Sequence, residues 1–455
     1  IYTLSLHDAL PILLNNEYCK RVYEQILARD PDQKEFHQAV YEVLEGLEPM
    51  VERRPELEKN GILERFVEPE RVVTFRVPWT DDAGMVHVNR GYRVQFNSAI
   101  GPYKGGLRFH PTVNLSILKF LGFEQILKNS LTGLPIGGGK GGADFDPAGK
   151  SDAEIMRFCQ AYMQALYRYI GPDVDVPAGD MGVGGREIGY LFGEYRRLKG
   201  AWENGVLTGK GFSYGGSLIR PEATGYGAVY YLQNVLEHEG ERIAGKTIAC
   251  AGFGNVTWGI CKKAKELGAK VITLSGPDGY VYDPDGVSTD EKVEYLLEMR
   301  ASGRNVVKDY ADKFGVQFFP GEKPWGVKAD IIMPSAMQND VNMEQAKKIA
   351  ECGAKYYIEV ANMPTTNDAL AFLMGQKHLI VAPSKAVNAG GVGVSAMEMS
   401  QNSERLSWTV EEVDGQLKKM METIHRVSAE AAEEYGLGYN LVAGANIAGF
   451  KKVAE

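Results

Sequence analysis

The segment from Leu131 to Pro147 carries the residue best suited to chemistry in this chain. Its sequence, LTGLPIGGGKGGADFDP, places Lys140 among five glycines. Glycine loses more backbone freedom than other residues on ordering, so such a cluster is typical of backbone that turns sharply or approaches a ligand closely. A flexible solvated loop is the simpler interpretation. Because the flanking residues are apolar, we favour a backbone that brings a ligand to the Lys140 ammonium group.

Two further lysines lie near similar features. Lys104 is followed by paired glycines at the end of a predicted strand, and Lys128 lies near the end of a predicted helix from Leu115 to Leu131 that also carries Gln125. An exposed lysine in a hairpin or strand-to-helix loop explains Lys104 equally well on its own. Three lysines near glycine-rich turns and a helix end would together suit one anionic ligand.

A lone carboxylate, Asp180, lies between Gly179 and Met181 in a third glycine-rich segment. Asp beside Gly is most often a turn residue. A carboxylate with apolar and glycine neighbours can also have its pKa raised toward neutrality, which suits proton transfer. The spacing alone favours the turn.

A dinucleotide-binding pattern follows later in the chain. The sequence GFGNVT from Gly252 to Thr257 leaves a predicted strand, opens a predicted helix, and precedes a second predicted strand from Lys270 to Leu274. In this order the glycines admit a pyrophosphate and the helix N-terminus holds its charge, although Thr257 replaces the third Gly or Ala. Asp278 follows the second strand, and this turn contains no Arg or Lys. The pattern favours NAD without excluding NADP.

Another match, from Gly240 to Thr247, reads G-x-x-x-x-G-K-T. A phosphate-binding loop of this type must follow a strand and precede a helix. Here a predicted helix precedes the match and a predicted strand follows it. We therefore reject a P-loop nucleotide hydrolase.

Regular elements must position these residues. Helical periodicity runs from Glu17 to about Lys59, and alternation of apolar and polar residues then predicts strands over Arg71–Val77 and Val86–Phe96, joined by a turn. Ser151–Glu154 matches a capping box that opens a helix to about Tyr169.

The second half of the chain alternates strands and helices, which predicts a doubly wound parallel sheet. Predicted strands include Ala329–Pro334, Tyr356–Asn362 and Leu379–Ser384. A further glycine-rich turn is predicted over Asn388–Glu398, and a long amphipathic helix with a core-facing stripe over Val413–Ala431. Polar residues at strand ends, where ligands bind in such sheets, are Ser335, Asn362 and Asn388.

Bulk properties limit the classes of function. The 455 residues predict more than one domain, since single cores stop growing at roughly 250–300 residues. A net charge of −9 argues against a general nucleic-acid binder or a basic membrane-surface protein, and no apolar run approaches the ~20 residues of a membrane span. The five scattered cysteines predict reduced thiols in a reducing compartment, not a disulfide or metal framework. Residues 1–14 make a poor signal peptide, and we assign no function to them.

From about Tyr18 to its end, the chain resembles the hexameric-type bacterial glutamate dehydrogenases of the Glu/Leu/Phe/Val dehydrogenase superfamily. Separate motifs in this order are more specific than any single loop. The first dozen residues and the end at Glu455 depart from the family pattern, and we expect a truncated C-terminus. The motifs that carry the resemblance are Gly101–Pro111, Leu134–Gly142, Val176–Glu187, Arg220–Gly227, Gly252–Val256, and Asn388–Val392 with Ser395.

The resemblance implies reversible oxidative deamination of L-glutamate to 2-oxoglutarate and ammonia, with hydride transfer to NAD or NADP. It implies a cytoplasmic homohexamer with no nucleic-acid or membrane partner. The implied fold is α/β with two domains. A substrate and oligomerisation domain spans residues 1–213 with a return of 439–455, and a Rossmann-like doubly wound dinucleotide-binding domain spans 214–438.

Substrate-binding roles follow from the same resemblance. Lys104 would hold the side-chain carboxylate of the substrate, aided by Ser395. Gln125 and Lys128 would hold the α-carboxylate end, and Gly179 would also contact the substrate. A dicarboxylate needs cationic groups at both ends, and lysines supply them as point charges.

The implied catalytic residues are Lys140 and Asp180. Lys140 would activate water or polarise the carbinolamine and imine, and Asp180 would move protons to and from the amine. A cleft between the two domains would close over the substrate. The cofactor-binding residues are expected to be Thr224, Gly252, Phe253, Gly254, Asn255, Val256, Asp278 and Asn362.

Two alternatives stay open. A related leucine, phenylalanine or valine dehydrogenase would replace the partners of the side-chain carboxylate with apolar residues, so Lys104 and Ser395 argue against it. A non-catalytic dinucleotide-binding protein would bind NAD without glutamate-dependent reduction.

Overall fold

The computed structural model of the chain describes residues 14–455. Residues 1–13, which make up most of the N-terminal stretch to which the sequence assigns no function, lie outside the described residues. The chain divides into two compact units. The first contains the described residues up to Leu127 together with Ile136–Lys199 and Gly449–Glu455, and the second contains Lys128–Pro135 and Gly200–Ala448.

The first unit combines helices with a five-stranded mixed sheet. The sheet order is β1-β2-β4-β3-β5, with β3 parallel to both β4 and β5 and with β2 antiparallel to β1 and β4. Its elements are α1 (Glu17–Arg29), α2 (Lys34–Arg53), α3 (Glu56–Lys59), α4 (Ile62–Phe66), β1 (Arg71–Thr80), β2 (Val86–Asn97), β3 (Tyr103–Phe109), α5 (Leu115–Leu131), β4 (Gly138–Ala143), α6 (Asp152–Leu166), β5 (Asp175–Gly179) and α7 (Gly185–Lys199).

Two of the predicted glycine-rich turns are strands. Lys140 lies within β4, every residue of which is buried, and Lys104 lies within β3. Glycine is needed here for close approach of neighbouring strands. A Cβ atom at Gly141 would lie 2.8 Å from the carbonyl oxygen of Tyr92, which is closer than real Cβ atoms approach. The close approach predicted from the glycines is therefore confirmed, but it occurs within strands and not in a loop.

Aromatic side chains hold the ends of β3 and β4 against α6. Phe109 ends β3, Phe145 follows β4, and the rings of Phe145 and Phe158 stack with their centroids 3.8 Å apart. Tyr162 packs edge-on against Phe109. Burying one such side chain stabilises a fold by about 1.5–3 kcal/mol, so this cluster fixes the two strands that carry Lys104 and Lys140. The predicted capping box of Ser151 and Glu154 begins α6.

The second unit contains a seven-stranded sheet with the order β12-β11-β10-β6-β7-β8-β9. Its elements are α8 (Ala223–His238), β6 (Thr247–Cys250), α9 (Asn255–Glu266), β7 (Lys270–Gly276), β8 (Gly279–Tyr282), α10 (Asp290–Ala301), α11 (Lys308–Phe314), β9 (Gln317–Pro320), β10 (Ile331–Met333), α12 (Met343–Glu351), β11 (Tyr356–Ile358), α13 (Asn367–Met374), β12 (Ile380–Ala382), α14 (Ser384–Val387), α15 (Gly390–Glu404), α16 (Val410–Glu434) and α17 (Leu441–Ala454), the last residues of which belong to the first unit.

The predicted parallel sheet is correct for the strands from β12 to β7, with an antiparallel extension. Strand β8 pairs antiparallel with β7, and β9 pairs antiparallel with β8. The turn around Asp278 is therefore a tight β7–β8 hairpin, which the sequence analysis did not resolve. As predicted, the rejected phosphate-loop match lies between α8 and β6, in the wrong order for a P-loop.

The predicted turn over Asn388–Glu398 is mostly helix α15. Its glycines allow two helices to approach closely, since a Cβ atom at Gly390 would lie 3.0 Å from the Cα atom of Gly227 in α8. The long helix predicted after it is α16, and its predicted stripe is buried in the core, including Val413, Leu417 and Ile424.

Within residues 14–455, the helices include none that combines the length and the hydropathy of a membrane span.

Candidate active site

Lys140 and Asp180 form an ion pair in the first unit. In β3, alternation puts Lys104, Gly106 and Arg108 on one face of the sheet. The parallel register, with Leu107 opposite Gly141 and Gly179, places Lys140 and Asp180 on that same face.

Gly106 makes this meeting possible. It lies on β3, between the strand that carries Lys140 and the end of the strand that precedes Asp180. A Cβ atom at Gly106 would lie 2.9 Å from the Cβ atom of Asp180. The bare glycine backbone therefore leaves room for the ion pair.

The carboxylate of Asp180 accepts hydrogen bonds at both oxygens. Its Oδ2 contacts Nζ of Lys140, and its Oδ1 accepts from Nη2 of Arg108 at 3.3 Å and from the backbone amide of Met181 at 2.6 Å. The side chains of Lys140 and Asp180 are only 6% and 14% exposed. Asp180 is also a turn residue, because its carbonyl oxygen accepts from the amide of Val183.

Burial is the largest influence on both groups. It lowers the pKa of Lys140, and the charges of Arg108 and Arg93 add to this, so the pKa stays below its ordinary value although Asp180 opposes the change. Burial acts to raise the pKa of Asp180, but the charges of Lys140 and Arg108 outweigh it and hold that pKa well below the ordinary range. The pKa of Asp180 is thus lowered, whereas its apolar and glycine neighbours in the sequence had suggested that it could be raised. A lysine that can lose its proton beside a charged carboxylate is suited to proton transfer.

A second ion pair lies close to Lys104. Nε of Arg93 donates to Oδ2 of Asp175 at 2.9 Å, and its Nη1 donates to the carbonyl oxygen of Gly105 at 3.0 Å. Both charged side chains are fully buried, and so is Lys104. Because Arg93 bonds the backbone next to Lys104, it fixes the strand that carries this lysine. Removing one partner of such a buried pair typically costs about 3–5 kcal/mol.

Gln125 and Gly179, the other predicted substrate residues of this unit, lie near the same strands. Gln125 is a buried residue of α5. Its Cγ atom would lie 3.2 Å from a Cβ atom placed at Gly105, so its side chain lies close to β3. Gly179 ends β5 and directly precedes Asp180. The first unit thus brings Lys104, Gln125, Lys140, Gly179 and Asp180 to adjacent strands and one helix.

Lys128 lies in the second unit, next to two asparagines that the sequence predicted at strand ends. Its Nζ donates to Oδ1 of Asn362 at 3.1 Å, and Nδ2 of Asn388 donates to the same oxygen at 2.9 Å. Asn362 follows β11 and Asn388 follows α14. The strand-end asparagines predicted from the sequence are therefore neighbours.

Ser395 lies on the buried face of α15. Its hydroxyl group is 2.5 Å from the hydroxyl group of Thr208. One turn along the helix, Glu398 accepts from Nζ of Lys210 at 2.7 Å and from the amide of Gly209 at 2.9 Å, and both charged side chains are fully buried. These bonds hold residues 208–210 against the helix face that carries Ser395.

The predicted dinucleotide loop lines a cleft of about 910 Å³ in the second unit. Helix α9 begins at Asn255. Its N-cap residue is Gly254, which has no side chain that could accept a hydrogen bond from the first amides of the helix. A Cβ atom at Gly254 would meet nothing within 4 Å, so the loop faces open space. Gly252 has a φ of +76°, a conformation that favours glycine. These features fit a pyrophosphate at the start of α9.

The remaining predicted cofactor residues flank this loop or lie on α8. Phe253 and Val256 also line the cleft. Asp278 accepts from the backbone amides of Val307 at 2.9 Å and Lys308 at 3.0 Å, so its carboxylate is tied to the start of α11. Thr224 lies in the first turn of α8, next to Gly391 of α15.

Several charged and polar residues near the predicted site residues of each unit were not predicted from the sequence. Arg108 lies in the motif Gly101–Pro111, and its spacing of four residues from Lys104 predicts the same strand face. Thr208 and the Lys210–Glu398 pair gave no local signal, because their partners are nearly 190 residues apart in the chain.

Known proteins of one family match this chain over nearly its whole length. The family model for Glutamate/Leucine/Phenylalanine/Valine dehydrogenase matches residues 215–455, and that for the Glu/Leu/Phe/Val dehydrogenase dimerisation domain matches residues 69–197. The chain is 68% identical over 440 residues to the NAD-specific glutamate dehydrogenase of Clostridium symbiosum, covering 97% of this chain and 98% of that protein. It is 54% identical over 436 residues to the NADP-specific glutamate dehydrogenase of Haemophilus influenzae, covering 95% and 96%.

Solved structures give the same result. A glutamate dehydrogenase structure superposes with a TM-score of 0.96 at 68% identity, covering 96% of this chain and 98% of that chain. A Plasmodium falciparum glutamate dehydrogenase superposes with a TM-score of 0.93 at 50% identity, covering 98% and 96%.

Proposed function

The chain belongs to the Glu/Leu/Phe/Val dehydrogenase family, and we propose that it is a glutamate dehydrogenase. It catalyses the reversible oxidative deamination of L-glutamate to 2-oxoglutarate and ammonia, consuming one water and releasing one proton. The observation that carries the proposal is the buried Lys140–Asp180 pair on the same strand face as the buried Lys104. This arrangement supplies a proton-transfer pair next to a cation that suits a carboxylate.

The substrate roles are those that the family resemblance implies, and the charges of the two lysines suit them. Lys104 and Ser395 bind the side-chain carboxylate of glutamate, and Gln125 and Lys128 bind the α-carboxylate end. Gly179 contacts the substrate beside Asp180. A cation at position 104 suits a substrate with a side-chain carboxylate and does not suit the apolar side chains of leucine, phenylalanine or valine, which favours glutamate.

The proton-transfer roles fall to the ion pair. Asp180 takes protons from the substrate amine before hydride transfer and returns them to the departing ammonia. Lys140 in its neutral form takes a proton from the water that adds to the imine carbon. Its lowered pKa supports this role, because a general base must be unprotonated near the working pH.

The cofactor is a nicotinamide dinucleotide, with NAD favoured over NADP. When bound, this cofactor would supply the acceptor for the hydride that leaves the α-carbon of glutamate. The pyrophosphate and its flanking groups would bind at the start of α9, against Gly252, Phe253, Gly254, Asn255 and Val256. Thr224, Asn362 and Asp278 complete the assigned contacts.

We also propose a homohexamer of this chain. Strand β1 is an edge strand of its sheet, and the β1–β2 hairpin exposes Val72, Met85, Val86 and Val88. Exposed apolar strand edges are commonly covered by another chain. The match of residues 69–197 to a dimerisation domain supports a subunit contact in this region.

Domain roles and location complete the proposal. Residues 1–213 with 439–455 bind substrate and build the oligomer, and residues 214–438 bind the dinucleotide. The five cysteines are free thiols, which supports a cytoplasmic location because a reducing compartment keeps thiols reduced.

Steady-state kinetics with purified enzyme tests the function. We expect glutamate-dependent reduction of NAD and little turnover of leucine, phenylalanine or valine. Turnover of leucine alone would indicate a related amino-acid dehydrogenase. Binding of NAD without glutamate-dependent reduction would indicate a non-catalytic dinucleotide-binding protein.

A further inference from the structure

Arg108 is the third charged group at the Lys140–Asp180 pair, and the proposed reaction assigns it no role. It lies on β3, on the same strand face as Lys104. Its side chain is 13% exposed, and its Nη2 donates to Oδ1 of Asp180 at 3.3 Å. Its Nε is buried without a hydrogen-bond partner among the described residues. The contact with Asp180 is therefore the principal fixed interaction of this guanidinium group.

The two oxygens of Asp180 are occupied from opposite sides. Arg108 and the Met181 amide bind Oδ1, whereas Lys140 binds Oδ2. A carboxylate can rotate about its Cβ–Cγ bond, so a single ion pair does not fix its plane. Donors on both oxygens fix the plane and leave Oδ2 directed at Lys140.

We propose that Arg108 is a positioning residue that holds Asp180 in the orientation and charge state required for proton transfer with Lys140 and the substrate amine. This inference rests on the proposed function, because it assigns Arg108 to the same proton-transfer step. The charged groups that act on the pair from the neighbouring strands are Arg108 from β3 and Arg93 from β2. Arg93 is neutralised by Asp175, whereas Arg108 has Asp180 itself as its carboxylate partner.

Replacing the guanidinium group should change both orientation and charge. In Arg108→Met, Oδ1 keeps only the Met181 amide, and the pair loses a neighbouring cation. We expect kcat for glutamate oxidation to fall by about 100-fold, the scale associated with misplacement of a catalytic group by about 1 Å. The KM for glutamate should stay nearly unchanged. The acid limb of the pH profile of kcat/KM should move to higher pH by about one unit or more, since a nearby cation favours the deprotonated forms.

Arg108→Lys separates charge from geometry. It keeps a cation but loses the planar fork that matches a carboxylate. We expect the pH profile to stay near that of the wild type while kcat is only partly restored. Arg426→Met is the matched control, because Arg426 is an exposed arginine of α16 whose side chain is 57% exposed. A Tm close to that of the wild type confirms that each variant has folded.

A double-mutant cycle shows whether Arg108 acts through Asp180. If it does, Arg108→Met should cost little further activity when Asp180 is already Asn. Additive losses in the double variant, or an unshifted pH profile in Arg108→Met, would overturn the inference. A rise in KM without a change in kcat would overturn it too, because it would make Arg108 a substrate-binding residue. Failure of the proposed function is distinguishable, since the wild type itself would then show no glutamate-dependent reduction of NAD.

Discussion

Lys140 and Asp180 meet across a strand to which neither belongs. Lys140 lies on β4, Asp180 follows β5, and β3 runs between them with the glycine Gly106 at the crossing point. The ion pair thus depends on sheet order and on a missing side chain, more than on any local motif. Because both side chains are nearly buried, water screens their interaction little, and a change to either residue should strongly affect the other.

Removal of the Lys140 amine should greatly reduce kcat and leave NAD binding intact. We expect Lys140→Ala to lose at least about 100-fold in kcat, the lower end of the range for general acid–base groups, with nearly unchanged NAD binding. Steady-state rates and NAD titration by fluorescence measure the two effects. Lys150→Ala, at the partly buried end of the turn before α6, is the matched control. Near-normal activity of Lys140→Ala would refute its role.

The pH dependence of the wild-type enzyme should follow the lowered pKa of Lys140. Glutamate oxidation needs the neutral amine, so kcat/KM should rise with pH and level off as pH passes the Lys140 pKa, at a value below the ordinary one near 10.5. The reverse reaction returns a proton through the same group and should show the opposite slope. A kcat/KM for oxidation that falls with rising pH across this range would contradict the assignment of Lys140 as a base.

Neutralising Asp180 should affect the chemical step more than binding. Asp180→Asn keeps the shape of the side chain and its contact with the Met181 amide but cannot accept a proton. We expect most of kcat to be lost with a similar KM for glutamate. A large rise in KM with unchanged kcat would identify Asp180 as a turn residue that only shapes the site.

Binding of the side-chain carboxylate of the substrate should depend on the Ser395 hydroxyl group. A hydrogen bond to a charged group contributes about 1.5–3 kcal/mol, so Ser395→Ala should raise the KM for glutamate by about 10- to 100-fold. Ser400→Ala is the control, since Ser400 is an exposed serine on the same helix. Equal KM values for the two variants would remove Ser395 from the substrate site.

The sequence predicted much of the fold and less of the site. Periodicity predicted α5 and α16, and the capping box predicted the start of α6, because these signals are local. The strands around Lys104 and Lys140 were assigned to turns, because glycine composition shows close approach without showing what approaches. Arg93 and Asp175, separated by 82 residues, had no local signal. Their meeting depends on a strand order that alternation alone does not determine.

Acid destabilisation should involve His425, a buried residue of α16. Burial, with a smaller effect of His238, lowers its pKa to about 4, and its Nε2 lies 2.6 Å from the Tyr439 hydroxyl group. Because the folded pKa lies below the unfolded value near 6.5, the unfolded chain binds more protons between these values. This residue's contribution to stability is complete above about pH 6.5 and is lost as pH falls toward 4. The loss amounts to at most about 3 kcal/mol.

Thermal unfolding of His425→Gln at pH 7 and pH 5 isolates this contribution from the carboxylates that titrate in the same range. We expect the Tm of the wild type to fall more from pH 7 to pH 5 than the Tm of the variant does. His378→Gln, at an exposed histidine, should behave like the wild type. An equal loss of Tm in wild type and His425→Gln would show that His425 does not titrate on unfolding.

The choice between NAD and NADP should depend on charge at the β7–β8 turn. A 2′-phosphate would bring negative charge toward Asp278, and residues 275–279 contain no Arg or Lys to offset it. We expect kcat/KM for NAD to exceed that for NADP, and Asp278→Asn to reduce the ratio. Because Asp278 also binds the amides of Val307 and Lys308, Tm must be measured alongside. Asp285→Asn, at an exposed position beyond β8, controls for net charge. An unchanged ratio in Asp278→Asn with an intact Tm would mean that the carboxylate only anchors α11 and that another group selects the cofactor.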